Sequence, residues 1–213
     1  MTAKHLVWDW NGTLLDDLHL VVSSTNVAFA SVGGRDVGPD EHRRTFRRPV
    51  ADFYAEMLGR AVGAEEFGEL DRIFHEAYRV GLTDVSLAAD ARAAITSWTG
   101  SQSLLSMWFH HELVPAVEGH GLTGLFTRVD GLRAELGGGF KAAHLAAHLE
   151  HLGVSGADAV LIGDSLDDAE AAESVGARAV LYTGGFTDPD RLRASGRPVA
   201  DTLVDAVKMA MSL

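Results

Sequence analysis

The sequence predicts an α/β fold: a parallel sheet with helices on both faces and an all-helical segment inserted after the first strand. Three observations predict it. Short apolar runs recur along the chain and end at polar or glycine-rich turns. Helical patterns alternate with these runs, which is the order of successive βαβ units. Between about residues 17 and 85 the alternation stops and helix follows helix.

The first run, His5 to Trp8, passes into Asp9 and the turn Asn11-Gly12-Thr13. Further strands are expected at Ser103–Leu105 before Ser106, Leu125–Val129 before Asp130-Gly131, Ala159–Ile162 before Gly163-Asp164, and Arg178–Tyr182 before Gly184-Gly185. The interleaved helices are Leu87–Thr99, His110–Gly119 with Leu113 and Val117 four apart, Lys141–Leu152 with Leu145, Leu149 and Leu152 on one stripe, and Asp168–Val175 closed by Gly176. The inserted helices are Leu18–Ser31, Asp40–Phe46, Val50–Leu58 and Glu65–Val80, punctuated by Gly33-Gly34 and Gly38-Pro39. The expected organisation is a discontinuous core, 1–16 with 86–213, and a helical domain at 17–85.

Composition narrows the function. The 213 residues carry 30 acidic and 18 basic side chains, a net charge of −12, which is the wrong sign for a general nucleic-acid binder. There is no cysteine, which excludes disulfides, thiolate zinc sites and a thiol nucleophile. No apolar run reaches the roughly 18 residues of a membrane helix, and the N-terminus has no signal-peptide pattern. The expectation is a cytoplasmic enzyme of small molecules, with neither nucleic acid nor membrane as partner.

Open α/β sheets bind ligands at the carboxyl ends of their strands. Asp9, Ser106 and Asp164 each follow a predicted strand, and Lys141 opens a helix after Gly137-Gly138-Gly139. Two carboxylates brought together repel unless one is protonated or a cation joins them, and carboxylate oxygens suit Mg²⁺. A carboxylate can also act as nucleophile towards phosphorus. Lys141 would balance charge on phosphoryl oxygens, Ser106 would donate to one of them, and Gly12 would let the backbone approach a ligand closely. Ser101 and Ser103 compete with Ser106 for that role.

Asp9-Trp10-Asn11-Gly12-Thr13-Leu14 resembles the first motif of the haloacid dehalogenase (HAD) superfamily. Ser106 after Ser103-Leu104-Leu105 resembles the second and Lys141 the third. Leu161-Ile162-Gly163-Asp164-Ser165-Leu166-Asp167-Asp168 is similar to the fourth. The helical insertion resembles the C1 cap of the phosphoglycolate-phosphatase-like branch. The resemblance implies a Rossmann-like core with a cap and Mg²⁺-dependent hydrolysis of a small phosphorylated metabolite through an aspartyl-phosphate. Asp9 would be nucleophile and metal ligand, with the Asn11 main-chain carbonyl and Asp164 as further ligands. Asp168 would support the metal through water or orient Lys141, a role Asp167 could share. Ser106 and Lys141 would hold the phosphoryl group.

Asn11 departs from the pattern. Most phosphatases of the superfamily place a general acid–base aspartate there, and a carboxamide transfers no proton at neutral pH. Such catalysis is typically worth about 10²–10⁴ in rate. The departure predicts slow turnover of alkyl phosphates, a good leaving group, or a replacement acid, for which His19 is a candidate. It also leaves open a low-turnover binding module. A dehalogenase-like hydrolase uses no metal and would leave Asp164 an unpaired carboxylate. Phosphonate cleavage needs a cap lysine, and the three lysines, Lys4, Lys141 and Lys208, all lie outside the cap.

Other features have plainer readings. Asp16 and Asp17, where the chain leaves the core, are either helix-capping acids or part of the site. His144, His148 and His151 share a helix stripe and read as a solvated face. Arg43, Arg44, Arg47 and Arg48 are either a solvated face or, with Arg48 foremost, groups for a second anion on the substrate. Trp10 is expected to narrow the site.

Overall fold

A computed structural model describes residues 4–133 and 139–213. Its described residues form one six-stranded, all-parallel sheet in the order β3-β2-β1-β4-β5-β6. The strands are β1 (His5–Trp8), β2 (Ser101–Phe109), β3 (Val129–Leu132), β4 (Ala159–Gly163), β5 (Arg178–Tyr182) and β6 (Val199–Ala200). The helices are α1 (Leu18–Ala30), α2 (Pro39–Thr45), α3 (Val50–Leu58), α4 (Ala64–Gly81), α5 (Ala91–Ser97), α6 (His110–Gly119), α7 (Ala142–Leu152), α8 (Leu166–Ser174), α9 (Pro189–Ala194) and α10 (Leu203–Ser212). None of them is long and apolar enough to cross a membrane.

β1 lies at the centre because it is apolar on both faces. Leu6 and Trp8 join the large core cluster that reaches α1, α3–α5 and α10, while Val7 joins a second cluster with Leu145 and Leu149 of α7 and Ala171 and Ala172 of α8. The period of two along the strand makes this division. Val7 sits between Ser103 and Leu161 in register. From β1 the chain builds outward to β2 and β3, then returns to place β4 on the other side. The crevice at the carboxyl ends of β1 and β4 is therefore the topological switch point of the sheet.

All of α1–α4 falls between β1 and β2. The chain leaves and re-enters the sheet layer through two paired segments: Asp16 N donates to Ser86 O, Ala88 N donates to Leu14 O, and Leu15 bridges Leu87. That pairing holds Leu87 and Ala88 extended, so α5 begins only at Ala91 rather than at Leu87. Leu125 and Phe126 are not in a strand. Leu125 N turns back to Leu122 O, and β3 starts at Val129, opposite Leu104. α8 starts two residues before the expected Asp168, because Ser165 and Asp168 form a reciprocal capping box. β6, α9 and α10 complete the sheet edge beyond the strands read from the sequence.

His148 is a correction. It is buried, with Nε2 2.7 Å from Ser103 Oγ and Nδ1 2.8 Å from Asp130. Ser103 Oγ also meets His5 Nε2 at 2.8 Å. A histidine stripe on a helix looks solvent-facing by pattern, but His148 has hydroxyl and carboxylate partners waiting inside the sheet layer. His144 and His151 are exposed, as the pattern predicts.

Candidate active site

Asp9 and Asp164 each stand one residue past the end of their strand, β1 and β4, and the switch point brings them together. One oxygen of each of Asp9, Asp164 and Asp168 lies within 4.8 Å of the others, and all three residues are buried. Lys141, immediately before α7, enters this cluster. Its Nζ is 2.5 Å from Asp9 Oδ1 and also bonds Asp168 Oδ1.

Tight backbone packing shapes the pocket. Gly12 has φ +71°, and a Cβ there would sit 2.5 Å from Asp164 Oδ2. A Cβ on Gly185 would collide with the same carboxylate. These glycines let two loops close around Asp164, whose Oδ2 accepts from Phe186 N at 2.5 Å. Asp168 commits both oxygens, Oδ1 to Lys141 and Oδ2 to the amide (3.0 Å) and hydroxyl (2.6 Å) of Ser165. Asp167 Oδ2 accepts from Lys141 N at 3.1 Å, which fixes the start of α7.

The electrostatics follow from three buried carboxylates beside one ammonium. Burial raises Asp9 to about 6 against the pull of Lys141. Burial, with the charges of Asp9 and Asp168, pushes Asp164 well above the carboxylate range. Asp168 is pushed up by burial, but Lys141 and Ser165 draw it below its ordinary value. Burial works against the charge on Lys141, yet its two carboxylate partners hold it above the usual lysine range. The excess negative charge and the all-oxygen donor set fit a hard divalent cation such as Mg²⁺.

The Asn11 side chain is locked at both ends. Oδ1 accepts from Ser106 Oγ at 3.1 Å, and Nδ2 lies 2.8 Å from Asp17 Oδ2 and 2.9 Å from Tyr78 Oη. Asp17 also accepts from Gly12 N at 2.7 Å and from Tyr78 Oη at 2.7 Å. Asp17 therefore braces the turn after Asp9, and its side chain does not cap α1. Of the two readings open for Asp17, cap or site, its contacts favour the site. Tyr78 went unread in the sequence, because it arrives from the end of α4, 61 residues along the chain. Thr13, which donates to Asp9 Oδ2 at 3.3 Å, lay within the quoted motif without a role. Ser165 did carry a signal, since Ser165-x-x-Asp168 has the spacing of a capping box.

Ser106 corrects an expectation. It lies inside β2, which runs on to Phe109 through a register shift between Leu105 and Phe109. The irregularity lets Ser106 Oγ accept from Trp108 N at 3.0 Å while facing Asn11. The arginine run divides. Arg43 holds the carbonyls of Thr183 and Gly185, Arg47 pairs with exposed Glu56, and Arg44 is exposed. Arg48 reaches the mouth of the site, 3.5 Å from Asp167 and bonded to Gly139 O. Gly137 and Gly138 lie outside the described residues. Trp10 is fully buried against His120 and does not line the site. His19 is exposed in a separate depression beside Asp84 and Ser86.

A HAD-hydrolase-like family model matches residues 140–206. A phosphoglycolate phosphatase of Chromobacterium violaceum is 25% identical over 209 residues, covering 91% of this chain and 92% of its own. The chain has a HAD-like fold. Two solved structures show the fold over its full length. A predicted phosphatase from Clostridium acetobutylicum superposes with a TM-score of 0.88 at 15% identity, covering 100% of both chains. A haloacid dehalogenase-like hydrolase from Streptococcus pneumoniae gives 0.81 at 15% identity, covering 97% of this chain and 98% of that one. In this fold the four sequence motifs meet around a pocket of about 30 Å³ lined by Asp9, Asn11, Ser106, Lys141, Asp164 and Asp168.

Proposed function

We propose that the protein is a Mg²⁺-dependent phosphatase that moves the phosphoryl group of a small phosphorylated molecule first to Asp9 and then to water. One observation carries the reading. Asp9 lies 2.5 Å from the Lys141 ammonium within a buried carboxylate cluster at the switch point of the sheet. A bound Mg²⁺ supplies charge balance and Lewis-acid polarisation of the phosphoryl oxygens. Asp9 and Asp164 would hold it, with the Asn11 main-chain carbonyl as the resemblance implies. Asp168 acts as a positioning residue, because both of its oxygens are used in fixing Lys141 and Ser165.

Asp9 forms a bond to phosphorus as the ester P–O bond breaks, and the electron pair departs on the ester oxygen. Lys141 holds the transferring oxygens, and the Ser106 hydroxyl joins it by turning its one hydrogen from Asn11 Oδ1 to the phosphoryl group. Gly12 keeps the turn open beside them, and Arg48 stands at the mouth for the anionic substrate. Water then cleaves the acyl phosphate and regenerates Asp9. The inserted helices 17–85 act as a cap over this core of 1–16 and 86–213, and exclude bulk water.

Among the described residues lining the pocket, no acid lies outside the cluster of Asp9, Asp164, Asp168 and Lys141. Asn11 has no acidic proton. Burial raises Asp17 to about 6, while its three donors favour the anion.

The test is phosphate release from a panel of phosphate esters and acetyl phosphate, in Mg²⁺ and in chelator, with Asp9→Asn as the blank. Chelator-sensitive release that Asp9→Asn lacks is expected. Release that persists in Asp9→Asn overturns the mechanism.

A further inference from the structure

Beside the catalytic pocket lies a second cavity of about 100 Å³, between the inserted helices and the far end of β2. The two share Asn11, Phe46, Arg48, Met107 and Phe186 as common wall, so what fills one abuts what fills the other. The remaining wall is largely aromatic, with Phe53, Tyr54, Phe74, Tyr78 and Trp108 prominent. Arg48, at the junction, is engaged by Asp167 and Gly139 O. The wall also carries Thr25 and the buried Asp71 carboxylate, which would repel an anionic leaving group.

The cavity also holds polar atoms that the fold does not satisfy. His42 Nδ1 and Trp108 Nε1 have no hydrogen-bond partner among the described residues, although their side chains are almost wholly buried. His75 Nδ1, on the same wall, is a third. Buried polar atoms are ordinarily paired, so each such exception calls for a partner. A cavity with aromatic walls and a few convergent polar atoms has the composition of a small-molecule site.

We infer that this cavity receives the leaving group, and that the substrate is the phosphate monoester of a compact, flat, largely apolar alcohol, about one ring in size. An engineered apolar cavity of about 150 Å³ accepts benzene, which sets the scale. The inference rests on the phosphatase reading and narrows its substrate class. The step balances without a proton donor: the Asp9 Oδ–P bond forms, the P–O bond to the alcohol breaks, and the oxyanion takes its proton from water. Burial of the ring in the second cavity supplies binding energy remote from the reacting bond, which offsets part of what the missing acid would have contributed.

The experiment separates ring binding from leaving-group reactivity. Benzyl and ethyl phosphate both expel an alkoxide but differ in apolar bulk, phosphoglycolate carries a carboxylate instead, and acetyl phosphate has a small, good leaving group. One methylene in an apolar pocket is worth roughly 10–200-fold in kcat/KM. Benzyl phosphate should therefore exceed ethyl phosphate and phosphoglycolate by at least about tenfold in kcat/KM. Val50→Trp, which fills the cavity from its half-buried wall, should bring the benzyl-to-ethyl ratio close to one. Calorimetry with phenylphosphonate and methylphosphonate in Mg²⁺ reads the same preference without turnover. A folded wild-type protein with no preference for the ring, in rate or in binding, overturns the inference. So does a ratio that Val50→Trp leaves unmoved while circular dichroism shows a native fold. Acetyl phosphate hydrolysis without ring preference sinks the substrate class and leaves the phosphatase. No release from any ester or from acetyl phosphate sinks the phosphatase, and with it the substrate class.

Discussion

Asn11 Nδ2 lies 2.8 Å from Asp17 Oδ2, and the Asp17 carboxylate also receives Gly12 N and Tyr78 Oη. The carboxamide is thus matched to a neighbouring carboxylate. It donates where an aspartate at the same position would repel. The loss of a proton-transferring group at position 11 and the presence of a buried acid at position 17 are parts of one arrangement.

Replacing Asn11 by Asp sets two carboxylates against each other in a buried place, and such pairs retain one proton because both cannot ionise together. Asn11→Asp is therefore expected to gain a general acid and to lose stability. Hydrolysis of ethyl phosphate should rise about tenfold or more, the low end of what general acid catalysis provides. Acetyl phosphate, which needs no acid, should rise less. Thermal unfolding should fall by several degrees. Steady-state rates on the two substrates and a melting curve check it. An unchanged ethyl phosphate rate means that protonation of the leaving group does not limit turnover.

Lys141 is the ammonium among three buried carboxylates, and removing one partner of a buried ion pair costs about 3–5 kcal/mol. Lys141→Met should unfold well below wild type in chelator. Because a divalent cation would take over the lost charge balance, the stabilisation by Mg²⁺ should be larger in the variant than in wild type. Activity should fall at least a hundredfold in both conditions, since the phosphoryl oxygens lose their ammonium. Equal Mg²⁺-induced shifts in the two proteins would show that Lys141 and the cation do not share the same anionic cluster.

Gly12 tests the shape of the pocket apart from its charge. Gly12→Ala puts a methyl group where Asp164 Oδ2 stands and forces an L-residue into φ +71°. Loss of activity beyond a hundredfold is expected, together with weaker Mg²⁺ binding, because Asp164 must move. Normal Mg²⁺ affinity by calorimetry would argue that the turn relaxes without disturbing that carboxylate.

Most of this site was legible because its chemistry sits at strand ends. An apolar run buried on both faces, as at His5–Trp8 and Ala159–Gly163, marks its own end, and the residue after it falls at the sheet edge by topology. Ser106 was less legible, since the register shift that turns it towards Asn11 depends on pairing with β3. The pairing of Asp17 with Tyr78 was illegible for a different reason. Their partnership is made by folding α4 back onto α1, and nothing local in either segment signals it. His148 failed on pattern: helical periodicity separates faces, but it does not say which face meets a serine inside the sheet.

That histidine gives a prediction of its own. Ser103, His148 and Asp130 stand at the distances of a nucleophilic triad, yet Ser103 is wholly buried in β2 under α7 and also bonded to His5. The array is structural, and leaving a buried partner unsatisfied costs about 1–3 kcal/mol. His148→Leu should lower stability by about that amount while the phosphate-releasing activity per folded molecule stays at the wild-type level. Labelling of Ser103 by a serine-directed fluorophosphonate in the native protein would contradict the structural role.

His42 predicts how stability responds to acid. Its ring stacks on Phe46 and meets Phe53 and Phe186 edge-on, and burial, with the nearby Arg43 charge, lowers it from 6.5 to about 4. Between those values the unfolded chain binds a proton that the folded chain refuses, so folding stability falls as pH drops through this window. At the lower end the loss from this one group is about 3 kcal/mol. His5, lowered to about 4 mainly by burial, acts in the same direction. His42→Phe keeps the ring in its aromatic surroundings and removes the titration. Denaturant unfolding at pH 7.5 and pH 4.5 should show a smaller acid-induced loss in His42→Phe than in wild type, with the residual slope carried by His5. Parallel losses in the two proteins would mean that His42 gains its proton in the folded state as readily as in the unfolded one.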